Sequence, residues 1–326
     1  MKSTVNPTHL TIRPFAEADY AAAVEVNNAV YPDYPASVEE WRHTDRNRDP
    51  KYRFARFVAE LGGQVVGVGQ YGQSASNYHP RKFWLEVLVH PQQQGQGIGK
   101  ALYQQVLDAV IAFDPLTVRA GVREDLQRGV RFLQERGFVE ERRTWESRLD
   151  VQAFDPAPYL PLLERLEAEG FEFKSIRELE ADPERDRKLY ELQLAVERDM
   201  PAPDAYTGYD FEHFVRHYLQ SPDLSPDSWR VALKDGEYVA VSTLWKAQQG
   251  GQLYNGATGT RPEWRRRGLA LALKVKNLMW AKREGYAQVK TWNDSSNRPM
   301  LAINERLGFW KMPAWITFRK DFGDGA

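Results

Sequence analysis

The sequence contains no cysteine, which excludes disulfides, thiolate metal sites and a cysteine nucleophile. That fits a reducing compartment. It has no apolar run of membrane-spanning length, and its start, MKSTVNPTHLTIRP, lacks the apolar core of a secretory leader. Charge of one sign is missing too. Lys and Arg number 44 against 45 Asp and Glu, a formal net charge of −1, so neither nucleic acid nor a membrane surface is expected as a partner. His79, His90 and His213 show no metal-ligand spacing, and no metal is expected. Together these absences predict a cytoplasmic protein. What is present is 326 residues, 42% hydrophobic and 27% charged, long enough for two globular domains.

The chain repeats itself. Gln94-x-x-Gly97-x-Gly99 returns as Arg265-x-x-Gly268-x-Ala270, and Gly137-Phe138 returns as Gly308-Phe309, all at one offset of 171 positions. Upstream, RFVAELGGQVVGVGQY parallels WRVALKDGEYVAVSTLW, with Gly62-Gly63 and Asp235-Gly236 as hairpin turns. Each copy reads as strand, one or two helices, hairpin, strand, glycine motif, helix, strand, helix ending in Gly-Phe, and closing strands. The helix after the first motif carries Ile98, Leu102, Val106 and Val110 as a buried stripe; in the second copy Leu271, Val275, Leu278 and Met279 take that part. Pro156, Pro158 and Pro161 interrupt regular structure at the join. The expected division is an α/β domain over 1–155, a linker over 156–169 and a second domain over 170–326.

The glycine motif has two familiar rivals, and spacing removes both. A P-loop needs glycine five residues before its Gly-Lys pair and Ser or Thr after it; here Gln94 and Ala101 stand there. A dinucleotide fingerprint needs a third glycine where Lys100 stands. A helix merely following a loose loop would explain one copy, not matched small residues at 97, 99, 268 and 270. The remaining reading is a pyrophosphate site. A helix start offers unpaired N–H groups and its positive dipole end, each worth roughly 0.3–1 kcal/mol to an anion. Small residues let the backbone approach the phosphate.

With Val89-x-Pro91 before it and Gly137-Phe138 after it, the first motif resembles the acyl-CoA motif of the GCN5-related N-acetyltransferase (GNAT) superfamily. The second copy, TGTRPEWRRRGLALALK, resembles it equally, with the family's arginine as Arg265. TWNDSSNRPMLAINERLGF is similar to the closing segment of tandem members of the mycothiol synthase type. The resemblance implies two tandem GNAT folds, each a mixed, mostly antiparallel sheet flanked by helices. It implies acetyl-CoA as acyl donor and an amine of a small molecule or peptide as acceptor, in a monomer or homodimer. Carried over residue by residue, Val87, Leu88 and Val89 would pair with the pantetheine arm. Gln94, Gly95, Gln96, Gly97, Gly99 and Lys100 would hold the pyrophosphate. The second-copy counterparts are Thr258, Gly259 and Thr260, then Arg265, Arg266, Arg267, Gly268, Leu269 and Ala270, with Asn297 opening the last helix.

Acetyl transfer to an amine is a direct displacement, and the amine must first lose a proton. An amine of pKa about 10.4 costs roughly 4–5 kcal/mol to deprotonate at neutral pH, so a base helps. Glu86, on the strand beside the donor motif, is the base candidate; its second-copy position is Ala257, leaving Tyr254 and Asp294 as candidates there. The family's tyrosine acid falls on Leu133 and Asn304, so neither copy matches, and Leu126 stands where the second copy has Asn297. Glu86 favours the first copy as the working one; Arg265 and Asn297 favour the second, and the balance tips to the second. VYPDYP (Val30–Pro35) with Trp41, and ERDMPAPDAYTGYDF (Glu197–Phe211), are the acceptor-loop candidates. The alternatives are a non-catalytic acyl-CoA sensor, which the missing tyrosines favour, and a Fem-type aminoacyl transferase, which the two CoA loops oppose.

Overall fold

The computed structural model describes residues 10–247 and 251–323; most of the start read above for a leader lies outside them. By packing, the chain forms two units. Unit 1 takes the chain up to Arg142 and again from Trp315 onward, and unit 2 takes Arg143–Ala314. The units do not follow sequence order, as the expected division at 155 and 170 does.

Unit 1 opens with β1 (Leu10–Pro14), α1 (Tyr20–Val30) and α2 (Val38–Arg46). Ser37 starts α2 with a capping box: its hydroxyl accepts from Glu40 N at 3.1 Å, and the Glu40 carboxylate accepts from Ser37 N. β2 (Ala55–Leu61) and β3 (Gln64–Gly72) form the hairpin that Gly62-Gly63 predicts. β4 (Lys82–Val89), α3 (Ile98–Ile111), β5 (Thr117–Arg123) and α4 (Gln127–Gln134) follow, then β6 (Val139–Asp150), which from Arg143 on belongs to unit 2. β1 to β4 pair antiparallel in order, and β5 joins β4 in parallel. That parallel pairing stops at Trp84↔Arg119; beyond it the two strands part and a groove opens. The predicted stripe on α3 is buried, with Ile98, Leu102, Val106 and Val110 at 2% exposure or less.

Unit 2 continues with α5 (Leu160–Ala168), β7 (Phe171–Ser175), α6 (Arg185–Glu197), α7 (Phe211–Phe214), β8 (Leu224–Lys234) and β9 (Glu237–Lys246). Then come β10 (Gln252–Thr260), α8 (Leu269–Arg283), β11 (Gln288–Asp294), α9 (Arg298–Leu307) and the short β12 (Trp310–Lys311). The stretch expected as linker includes α5, whose Leu163 and Leu166 are buried in the core of unit 2. β7 to β10 pair antiparallel, and β11 joins β10 in parallel as far as Asn255↔Thr291. Leu271, Val275 and Leu278 are buried on α8, but Met279, expected on that stripe, is 37% exposed. Lys274 takes the fourth stripe position, because 271, 274, 275 and 278 share a helix face at 3.6 residues per turn.

Each unit is closed by a strand from the other copy. Thr144–Asp150 of β6 pair antiparallel with β11 in unit 2. The last strand of the chain, β13 (Trp315–Asp321), pairs with β5 in unit 1, from Trp315↔Arg123 to Asp321↔Thr117.

Candidate active site

The two glycine motifs fold alike. Each follows a short 3-10 turn, Pro91–Gln93 or Pro262–Trp264, and ends in a helix whose N-cap is glycine. Left-handed backbone recurs at matched places: Gly95 (φ +85°) and Gly97 (+85°) in one, Arg266 (+63°) and Gly268 (+94°) in the other. Such turns aim successive N–H groups into one concavity, a cradle for an anion at a helix start. The side chains ahead of them match too. Gln94 Nε2 donates to Val89 O at 3.1 Å, and Arg265 Nε to Thr260 O at 3.2 Å.

What surrounds the loops differs. In unit 1, Gly95, Gln96 and Gly97 are exposed, and a side-chain carbon added at Gly97 would meet nothing within 4 Å. In unit 2, α5 stands against the loop. A carbon added at Gly268 would lie 2.9 Å from Leu162 Cδ1, and Arg165 Nη2 donates to Arg267 O at 2.9 Å.

From the unit 1 loop a groove of about 720 Å³ runs between β4 and β5, covered by α4. Lys100, Arg128, Arg131 and Arg136 line it against Glu86 and Glu135, an excess of positive charge that suits an anionic ligand. A second cleft of about 560 Å³ lies beside α2 and β2 to β4, with Trp41, Phe54, Trp84 and Trp315 in its wall. Groove and cleft share Leu85, Glu86 and Gly121. Glu86 is the titratable group common to both.

Strand register builds the surroundings of Glu86. Arg56, Gln70 and Glu86 stand directly opposite one another across β2, β3 and β4. Arg56 Nε donates to Gln70 Oε1 at 2.8 Å, which turns the amide so that its Nε2 donates to Glu86 Oε2 at 2.8 Å. Asp45 accepts from Arg56 Nη1 at 2.7 Å and from Tyr20 and Arg48. Burial works against the Asp45 carboxylate, yet the two arginines and Tyr20 hold its pKa below the ordinary value. Glu86 goes the other way. Burial pushes its pKa up, and the Gln70 bond and Arg56 charge offset only part of that. Tyr31 lines the same groove, its phenol pKa raised by burial and by the Glu86 charge.

Unit 2 holds a cleft of about 490 Å³ at the corresponding place. A bulge in β10 between Asn255 and Thr258 carries Ala257, the counterpart of Glu86. The carboxylate in this cleft is Glu197, which accepts from Gln193 Nε2 at 2.8 Å, Tyr218 OH at 3.1 Å and Tyr206 OH at 3.3 Å. Lys274, 3% exposed, donates to Asn255 Oδ1, and burial lowers its pKa to about 7.

The expected site residues fall into distinct groups. Val87, Leu88, Val89, Gln94, Gly95, Gly97, Gly99 and Lys100 all line the unit 1 groove with Glu86. Gln96 stays on the exposed loop and donates to Gln93. In unit 2, Thr258 and Asn297 line the cleft, while Gly259, Thr260 and residues 265–270 stand apart from it. Arg265 pairs with Asp199, Arg267 lies 5.2 Å over Trp264, and Leu269 is buried at 1% exposure. Tyr254 packs its ring on Trp292 at 5.6 Å, and Asp294 caps a turn, accepting from Ser296 N at 2.8 Å. Sequence reasoning missed Gln70, Arg56, Asp45, Arg128 and Lys274. Only Lys274 left a local signal, a lysine on an apolar helical stripe.

Residues 20–138 and 187–309 each match the acetyltransferase (GNAT) family. The mycothiol acetyltransferase of Thermobispora bispora is 26% identical, covering 72% of this chain and 75% of its own length. That of Streptomyces scabiei is 23% identical over 94% and 92%. Among solved structures, a tandem GNAT protein from the clavulanic acid biosynthesis pathway superposes with a TM-score of 0.75 at 20% identity. That match covers 97% of this chain and 100% of the other. A GCN5-related N-acetyltransferase from Sphaerobacter thermophilus gives 0.71 at 21% identity, over 99% and 98%. The chain therefore belongs to the GNAT family of acetyltransferases, as a tandem member carrying that fold twice.

Proposed function

We propose that the protein moves an acetyl group from acetyl-CoA to the amine of a small molecule or peptide, and that unit 1 is the working half. One observation carries this reading: Glu86 sits where the anion-seeking groove meets the aromatic cleft. The cradle at Gly95 and Gly97 fits a pyrophosphate, and the parting of β4 and β5 leaves backbone of Val87–Val89 for the pantetheine arm. Acetyl-CoA supplies the activated acyl group. The amine, entering through the cleft, gives its proton to Glu86 and attacks the thioester carbonyl carbon; the C–N bond forms, the C–S bond breaks, and CoA leaves as thiol. A raised Glu86 pKa brings the base nearer to operating pH, where proton transfer is most effective. Tyr31 is the hydroxyl in the groove that can return a proton to sulfur, in place of the tyrosine absent at Leu133.

This reading puts catalysis in unit 1, against the sequence balance, because unit 2 has Ala257 in place of the Glu86 carboxylate and has Leu162 and Arg165 of α5 against Gly268 and the Arg267 carbonyl. Thiol release from acetyl-CoA with a panel of amines tests it. Release slowed by about 100-fold or more in Glu86→Gln supports it. CoA binding without release from any amine favours the sensor.

A further inference from the structure

The acceptor cleft of unit 1 holds more hydrogen-bond donors than its own residues satisfy. Arg48 and Arg56 share the single carboxylate of Asp45. Arg48 Nη2 donates to Asp45 at 3.0 Å and the guanidinium stacks 3.5 Å over Phe54, yet its Nε is shut from solvent and meets no acceptor. Trp315, brought to the cleft by β13, is in the same state: its indole Nε1 is buried with no acceptor. Buried donors are rarely left unmatched, because a lost partner costs their full desolvation. Both residues line the cleft that shares Glu86 with the groove.

The two open donors ask for an acceptor-only group, and the charge balance asks for a negative one. Arg48 and Arg56 have the one carboxylate of Asp45 between them, and the charge of Glu86 is met by the acceptor's own ammonium. A carboxylate ligand has two oxygens, accepts from both a guanidinium and an indole, and makes charge-assisted bonds with the former. Trp41, Phe54 and Trp84 add apolar surface for the rest of such a molecule.

We propose that the acceptor of unit 1 is an amino acid with an apolar side chain, its carboxylate held by Arg48 and Trp315 while its amine faces Glu86. This rests on unit 1 being the acetyl-transfer site. Thiol release is compared for phenylalanine and phenylalaninamide, which share ring and amine and differ in the carboxylate. The expected kcat/KM is at least about tenfold higher for phenylalanine. Arg48→Gln lowers it by about 10- to 100-fold, mainly through KM, and leaves phenylalaninamide within about twofold. Trp315→Phe keeps an aromatic, though smaller, ring, removes the N–H and acts in the same direction more weakly.

Equal use of the two acceptors overturns the proposal. So does an Arg48→Gln loss that falls equally on both, since that marks a structural role. If neither turns over while another amine does, the proposal is overturned; if no amine releases thiol, the acetyl-transfer reading fails, and thermal-shift titration of the CoA-loaded protein with the same two compounds decides this one. A shift specific to phenylalanine and lost in Arg48→Gln supports it; no shift overturns it.

Discussion

Units 1 and 2 carry the same loop, with the same left-handed turns and the same side chain reaching back to the strand, yet they offer it differently. The unit 1 loop is open and continues into a groove that ends at a carboxylate with a raised pKa. The unit 2 loop has Leu162 and Arg165 of α5 packed on it, and the cleft below contains a lysine where unit 1 has Tyr103 in the core. A motif fixes backbone shape. Whether that shape becomes a site depends on what the rest of the chain lays against it.

The largest effect that would break this contrast is on chemistry. Glu86→Gln is expected to lower kcat/KM by about 10²- to 10⁴-fold with acetyl-CoA affinity retained, and Glu197→Gln in unit 2 to leave the rate nearly unchanged. In the wild type, kcat/KM should rise with pH through a midpoint above the ordinary carboxylate range, a limb lost in Glu86→Gln. A rate that follows Glu197 instead would reverse the assignment of the halves.

Stability sharpens it next. Lys274 has a folded-state pKa of about 7, below the ordinary value of 10.5. Between those two values the unfolded chain holds a proton that the fold excludes. Stability therefore rises as pH increases through that window, and the full penalty, on the order of 5 kcal/mol, stands below it. Lys274→Met should stabilise unit 2 at neutral pH and flatten that rise, as read by denaturant unfolding at several pH values.

Smaller effects separate the loops. Gly97→Val should raise the KM for acetyl-CoA by about tenfold or more, because a side chain enters the open cradle at a left-handed position. Gly268→Ala should leave that KM unchanged and lower the melting temperature, at about 1–3 kcal/mol, because its carbon meets Leu162. Arg265→Ala, which breaks an exposed pair with Asp199, should cost only about 0.2–1 kcal/mol.

Much of the fold was legible because its signals are local. Gly62-Gly63 and Asp235-Gly236 set hairpins, the α3 stripe set a buried face, and the recurrent glycine spacing showed two copies. Glu86 was legible from its place on a strand beside the motif. Its partners were not, since Arg56 and Gln70 reach it only once three strands are in register. Met279 was misplaced on α8 because a lysine on the buried face was not expected, and burying one is costly.

The sequence by itself determined the duplication and the family, because motif spacing is written in consecutive residues. Only the tertiary structure decided that β13 delivers Trp315 to unit 1 while β6 joins unit 2. Both strands follow a Gly-Phe helix end, and both have the extended pattern that could close either sheet. Strand partnering is a non-local choice, fixed by which edge and core each strand completes rather than by its own residues. The same holds for α5, in the stretch expected as linker, whose Leu162 packs against Gly268 while the matching Gly97 has nothing against it.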